Sequence, residues 1–149
     1  MGEDDKSAIE RLLSEFAWTA DRGLGVEMAG LFLPHGTLTV NAQTLHGRQA
    51  IAADCQRRFE TPGRKTRHVW ANLRLHAADG GGYAGAAIQL TFESTGEGQP
   101  VKLRVNDVSD RFERDEQGAW RFGTRVIARQ MAMVLPADHT MSAAPSAAA

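Results

Sequence analysis

One cysteine and one tyrosine in 149 residues are the scarcities that bound this sequence first. The lone thiol, Cys55, excludes an internal disulfide framework and leaves too few thiolates for a cysteine-built zinc or iron–sulfur centre. That usage fits a reducing compartment, and a cytoplasmic location is expected. The five histidines show no HExxH or similarly close spacing, so no metal is expected. No apolar run approaches membrane-spanning length, and the start, MGEDDKSAIE, lacks the charged-then-apolar layout of a signal peptide. Neither sign of charge dominates: 17 Lys and Arg face 18 Asp and Glu, a net charge of −1 that supplies no global field toward nucleic acid or a lipid surface. A GxSxG elbow is absent too. Gly80, Gly82 and Gly85 spell GxGxxG, but no helix opens after them to present its N-terminus to a pyrophosphate, so they read as a hairpin turn. The basic cluster Arg57, Arg58, Arg64, Lys65 and Arg67 has little aromatic interleaving and reads as a solvated surface.

What is present is enough apolar sequence, 42%, for a single domain with a substantial core, expected over residues 1–135. Ile9, Leu12, Leu13, Phe16 and Ala20 recur at helical intervals up to Gly23, and Ser7 with Glu10 has the spacing of a capping box. These predict a helix from about Lys6 to Arg22. A short second helix is expected over Val26–Phe32, a strand from LTV, and a third helix over Gly47–Glu60, where Ile51, Ala52, Cys55 and Phe59 share a stripe. Four long segments of strand character follow: Arg67–Ala77, Tyr83–Ser94, Val101–Arg114 and Trp120–Val134. The breaks between them, ADGGG, TGEGQP and DEQG, are rich in hairpin residues, so antiparallel neighbours are expected. Helices first and sheet later predict an α+β domain, a strongly curved antiparallel sheet closed by three N-terminal helices around a pocket. From Pro136 the sequence falls to Ala, Ser and Pro, and a flexible tail over 136–149 is expected.

Two residues stand out against this pattern. Asp21 falls in the last turn of the first predicted helix, where a negative charge meets the negative end of the helix dipole at a cost of about 0.3–1 kcal/mol. In TRHVWANLRL, residues 66–75, one parity is apolar (Val69, Ala71, Leu73, Leu75) and the other carries His68, Trp70, Asn72 and Arg74. That second parity is either the solvated face of a half-buried strand or a polar set lining a cavity, and for a strand histidine alone the solvated reading is the commoner one.

Taken in order, FAWTADRG, AGLFLPHGTL, HGRQAI, TRHVWANLRL and SDRFERDEQGAWRFGTRV resemble the SnoaL-like branch of the nuclear-transport-factor-2-like superfamily over about Ser7 to Leu135. The functional pattern is similar to that of hexachlorocyclohexane dehydrochlorinase and the scytalone and bile-acid dehydratases. The resemblance implies a catalytic dyad of Asp21 and His68, with Arg125 stabilising a developing anion. It implies a lyase or isomerase that needs no cofactor and acts on a hydrophobic small molecule of steroid, terpenoid, polyketide or aromatic type. Phe16, Trp70, Asn72 and Asp110 are the expected substrate-binding residues. Phe16 stands where the dehydratases of this group often have a tyrosine, so no phenolic proton is on offer there. A homodimer or higher homo-oligomer is implied. The same cone also serves, in the small subunit of ring-hydroxylating dioxygenases, as a dimerisation module without chemistry of its own, and a non-catalytic small-ligand-binding or dimerisation module of that kind is the alternative.

Overall fold

The computed structural model describes residues 2–137. Three helices, α1 (Glu3–Arg22), α2 (Gly25–Gly30) and α3 (Gly47–Phe59), pack on one face of a six-stranded sheet. Its strands are β1 (Phe32–Val40), β2 (Gln43–His46), β3 (Lys65–Ala77), β4 (Tyr83–Ser94), β5 (Val101–Arg114) and β6 (Trp120–Leu135), in the order β2-β1-β6-β5-β4-β3. The architecture is the expected α+β one, with one topological difference. β1 lies parallel to β6, while every other pair is antiparallel, so the sheet is mixed. Local turn signals could only announce the hairpin pairs.

The helix periodicity delivers its stripe to the core. Ile9, Leu12, Leu13 and Phe16 on α1 are buried with Phe32, Phe112 and Phe122 from the sheet. α1 starts earlier than the capping box suggests: Gly2 is its N-cap, with no side-chain cap, and Ser7 and Glu10 lie inside the helix. Its end is as expected, with Gly23 in the left-handed region at φ 66°. β1 begins at Phe32, before the LTV segment, and runs through Pro34. Its pairing with β6 is interrupted between Phe32 and Thr37, and an interrupted ladder is where a residue without an N–H is tolerated. β2, which no sequence pattern announced, folds back on β1 through a turn at Asn41, φ 54°. The expected tail beyond residue 137 lies outside the described residues.

β3 holds the feature on which the site turns. Thr66, His68 and Trp70 point toward the helices, and Val69 and Ala71 point away. At Asn72 the chain takes a positive φ of 57° and the pairing with β4 slips between Ala71 and Arg74. This bulge exchanges the faces, so that beyond it Leu73 and Leu75 pack on the core.

Candidate active site

α1 and β3 bring Asp21 and His68 together. The Asp21 carboxylate receives three hydrogen bonds: from the Thr66 hydroxyl at 3.0 Å, from the His68 backbone N–H at 3.0 Å, and at His68 Nδ1 over 2.5 Å. These donors offset the unfavourable helix-end position. Burial opposes ionisation of Asp21, but the His68 ring, the His68 N–H and Thr66 together hold its carboxyl below the ordinary value. An ionised carboxylate has no proton to give, so Nδ1 is the donor in this contact. In a neutral imidazole that leaves Nε2 as the acceptor.

His68 is also part of the wall of a cavity of about 480 Å³ enclosed by α1, α2, α3 and the inner sheet face. Phe16, Met28, Leu38, Ile51 and Ile127 make its apolar, deeply buried part. Gln89, Thr91 and Asn106, all buried, face the cavity from β4 and β5. The more open part is charged, with Arg57 exposed and Arg58 half-buried on α3, Arg129 exposed on β6, and Arg64, Glu93 and Arg104 between them.

The other expected site residues are distributed differently. Phe16 lines the cavity, edge-on to Phe32 and Phe122 with ring centroids 6.3 and 6.1 Å away. Arg125 is 1% exposed and sits one layer below the cavity wall. It donates to Asp110 Oδ2 at 2.9 Å and to Gln89 Oε1 at 3.4 Å, and its guanidinium lies 4.4 and 4.8 Å from the Phe16 and Phe122 ring centres. Asp110 is buried with it, away from the cavity. Burial drives the Asp110 carboxyl up to about 6 in spite of Arg125, and burial drives the Arg125 guanidinium down in spite of Asp110. Trp70 turns toward α1 and donates Nε1 to Ser14 Oγ at 3.1 Å, outside the cavity lining. Asn72 is exposed on the bulge, so the expectation that it faces the cavity with His68 is corrected: its positive φ ends the alternation that placed it there.

The residues missed by sequence reasoning are Gln89, Thr91, Glu93, Arg104 and Asn106. A signal for them existed. In QLTFES, Gln89, Thr91 and Glu93 form one polar parity against Leu90 and Phe92, and here the polar parity is the inner one. Arg57, Arg58 and Arg64, read as solvated, border the cavity. Among the described residues, no group of three or more His, Cys, Asp or Glu is placed to hold a metal ion, and no helix is long and apolar enough to cross a membrane.

The fold is an open α+β cone in which His68, backed by Asp21, stands in the wall of a mixed apolar and polar cavity. The chain belongs to the SnoaL-like domain family, whose model matches residues 4–126. Among solved structures it is similar to a type 2 hexachlorocyclohexane dehydrochlorinase, LinA, at 20% identity and a TM-score of 0.81, covering 95% of each chain. The type 3 LinA from Novosphingobium barchaimii is 19% identical, with a TM-score of 0.79 and 94% of each chain covered. A scytalone dehydratase-like protein from Novosphingobium aromaticivorans is 20% identical, with a TM-score of 0.76, over 97% of this chain and 94% of that one. At these identities the likeness is one of fold. No curated protein matches the sequence significantly.

Proposed function

We propose that the protein is a lyase or isomerase that needs no cofactor, in which His68 removes a proton from carbon on a largely hydrophobic small molecule. The observation that supports this most directly is the 2.5 Å contact between Asp21 Oδ1 and His68 Nδ1 on a ring that borders the cavity. Asp21 fixes the tautomer and stabilises the imidazolium that forms, the orienting role an aspartate has behind a catalytic histidine. Nε2 takes the proton, and the C–H electron pair becomes a new double bond. In an elimination of dehydratase or dehydrohalogenase type, the leaving group departs with its own bonding pair. In an isomerisation, the imidazolium returns the proton to a different carbon.

Phe16 supplies wall and no proton, so help to a leaving oxygen or halide falls to Gln89, Thr91 and Asn106, the polar groups beside His68. Arg125 acts as a positioning residue: it holds Gln89 and stacks under Phe16, and its charge reaches the cavity through them. The class of substrate extends to steroid, terpenoid, polyketide or aromatic compounds, for which an aromatic-floored cavity of this size has room.

A screen of β-hydroxy ketones, β-halo ketones and β,γ-unsaturated ketones, followed by absorbance of the conjugated product, tests the reading. Turnover of at least one class is expected, falling by about 10²–10⁴-fold in His68→Ala and Asp21→Asn. Inertness toward all three classes, or full activity in His68→Ala, counts against it and favours a ligand-binding module.

Self-association belongs to the same proposal. The outer sheet face carries an in-register row, Val69–Leu90–Val105–Met131, and a second, Phe92–Leu103–Met133. Val69, Met131 and Met133 are 48%, 55% and 46% exposed. A contiguous apolar face of this kind is suited to a second copy of the chain.

A further inference from the structure

The molecule as a whole is slightly negative, yet its cavity is not. Five arginines, Arg57, Arg58, Arg64, Arg104 and Arg129, line it against two carboxylates, Asp54 and Glu93, an excess of three positive charges before His68 is considered. Simple ion pairing does not account for this set. Asp54 is held by both Arg57 and Arg58, and Glu93 by both Arg64, at 2.8 Å, and Arg104, at 3.2 Å. One guanidinium would neutralise each carboxylate. The second on each, and Arg129, whose side chain pairs with none of the described residues, leave uncompensated charge.

The positions are as informative as the count. His68, Thr91 and Arg104 are direct cross-strand partners on β3, β4 and β5, and all three face the cavity. Two strand spacings separate His68 from Arg104, roughly 10 Å. In the next row Asn106 pairs with Arg129, so an amide and a second guanidinium flank Arg104 on the same surface. Arg104 gives one terminal nitrogen to Glu93, and among the described residues no other side chain takes its remaining donors. Glu93 thereby works as a brace that fixes the plane of Arg104, and Arg64 on its far side keeps Glu93 in place. The exposures order the cavity from apolar depth to cationic mouth, with His68 between.

We propose that the substrate carries an oxyanionic group, a carboxylate or a phosphate ester, bound by Arg104, Asn106 and Arg129, while its apolar body lies on Phe16, Met28 and Ile51 beside His68. A cleft lined by one sign of charge with low-dielectric walls focuses its field, so these arginines also draw an anion in against the net charge of the molecule. Guanidinium is the side chain best matched to either group, through paired charge-assisted hydrogen bonds. The assignment rests on this cavity being the substrate site of the proposed reaction, and it names a feature of the substrate that the His–Asp dyad leaves open.

Equilibrium binding of three unreactive probes with one ring system tests it: 2-naphthoate, 2-naphthyl phosphate and 2-naphthamide, followed by calorimetry at low salt. One of the two anions is expected to bind the wild-type protein about tenfold or more tightly than the amide, with the difference shrinking as salt is added. The tighter anion identifies the group. Arg104→Gln and Arg129→Gln are each expected to lose most of that preference and to keep amide affinity within about twofold. Arg129 is exposed and braces nothing, so its variant remains informative if loss of Arg104 disturbs Glu93. Equal binding of all three probes, no anion binding, or a preference that survives in Arg129→Gln and in a folded Arg104→Gln overturns the proposal. The probes do not react, so a protein selective for anions but inert toward the ketones and toward their carboxylate- and phosphate-bearing analogues would refute the dyad chemistry and leave the anion site standing. Turnover without anion preference would do the reverse.

Discussion

Replacing Arg125 by methionine would strand the Asp110 carboxylate in the core, where Oδ1 already lacks a partner among the described residues. Loss of one member of a buried ion pair costs about 3–5 kcal/mol, whereas apolar replacement of both members is often near neutral. Urea unfolding is therefore expected to show Arg125→Met strongly destabilised and Asp110→Leu/Arg125→Met restored to near wild type. The pair also gives a pH signature. Asp110 holds its proton more tightly in the folded chain, with its value raised from 3.8 to about 6. Its contribution therefore favours folding as pH falls through about 6 toward 4, and is lost as pH rises above about 6. Asp21 has the opposite sign, because its value is lowered: its contribution is present above the ordinary carboxyl range and disappears as pH falls through the folded value. Unfolding midpoints of wild type and the double variant, measured from about pH 7 to 4, should diverge, with only the wild type gaining the Asp110 increment. At this scale the sequence was informative about Asp21, whose awkward helix-end charge asked for donors. The resemblance singled out Arg125 but not its burial, because a strand arginine facing solvent and one buried between Phe16 and Phe122 read alike until the helices are in place.

At the scale of the element, the bulge in β3 determines which side chains reach the cavity. Asn72 occupies a left-handed conformation at φ 57°, which asparagine tolerates and a β-branched residue does not. Asn72→Val is expected to cost about 1–3 kcal/mol, with Asn72→Gly near neutral, as read by thermal unfolding. Deletion of Asn72 should be worse than either substitution. The bulge exchanges faces, so without it Leu73 and Leu75 would leave the core if His68 kept its place. Strong periodicity made α1, α3, β4, β5 and β6 legible to within a few residues of their observed bounds. The bulge was not, since an asparagine between Ala71 and Leu73 is equally compatible with uninterrupted alternation. β2 is four residues of mostly exposed side chains and has no apolar pattern to betray it.

For the whole molecule, β3, β4 and β5 share an inverted pattern near the cavity mouth, polar inside and apolar outside. The inside faces the cavity; the outside row through Leu90 and Val105 is the surface proposed to meet a second copy. Val105→Lys or Met131→Lys should reduce the sedimentation coefficient to that of a monomer while leaving the far-ultraviolet dichroism unchanged. A wild-type protein that sediments as a monomer at micromolar concentration would argue against the oligomer. The fold class was readable because the helical stripes all fall before Glu60 and the four long strand segments follow it. The parallel contact between β1 and β6 was not, because no local signal joins segments so distant in the chain.

That contact has a consequence for how the chain reaches its native state. Thr37 of β1 pairs with Thr124 of β6, so this neighbour relation closes a loop that spans most of the domain. β4, β5 and β6 can zip as successive hairpins with short closures, whereas β1, emerging early from the ribosome, has only the short β2 to pair with until the last strand has been synthesised. Docking of the helical layer together with β1 is thus the expected late step of folding, with the cavity completed only then. Binding of a cavity ligand during refolding should accordingly track the slowest kinetic phase rather than the first appearance of sheet structure.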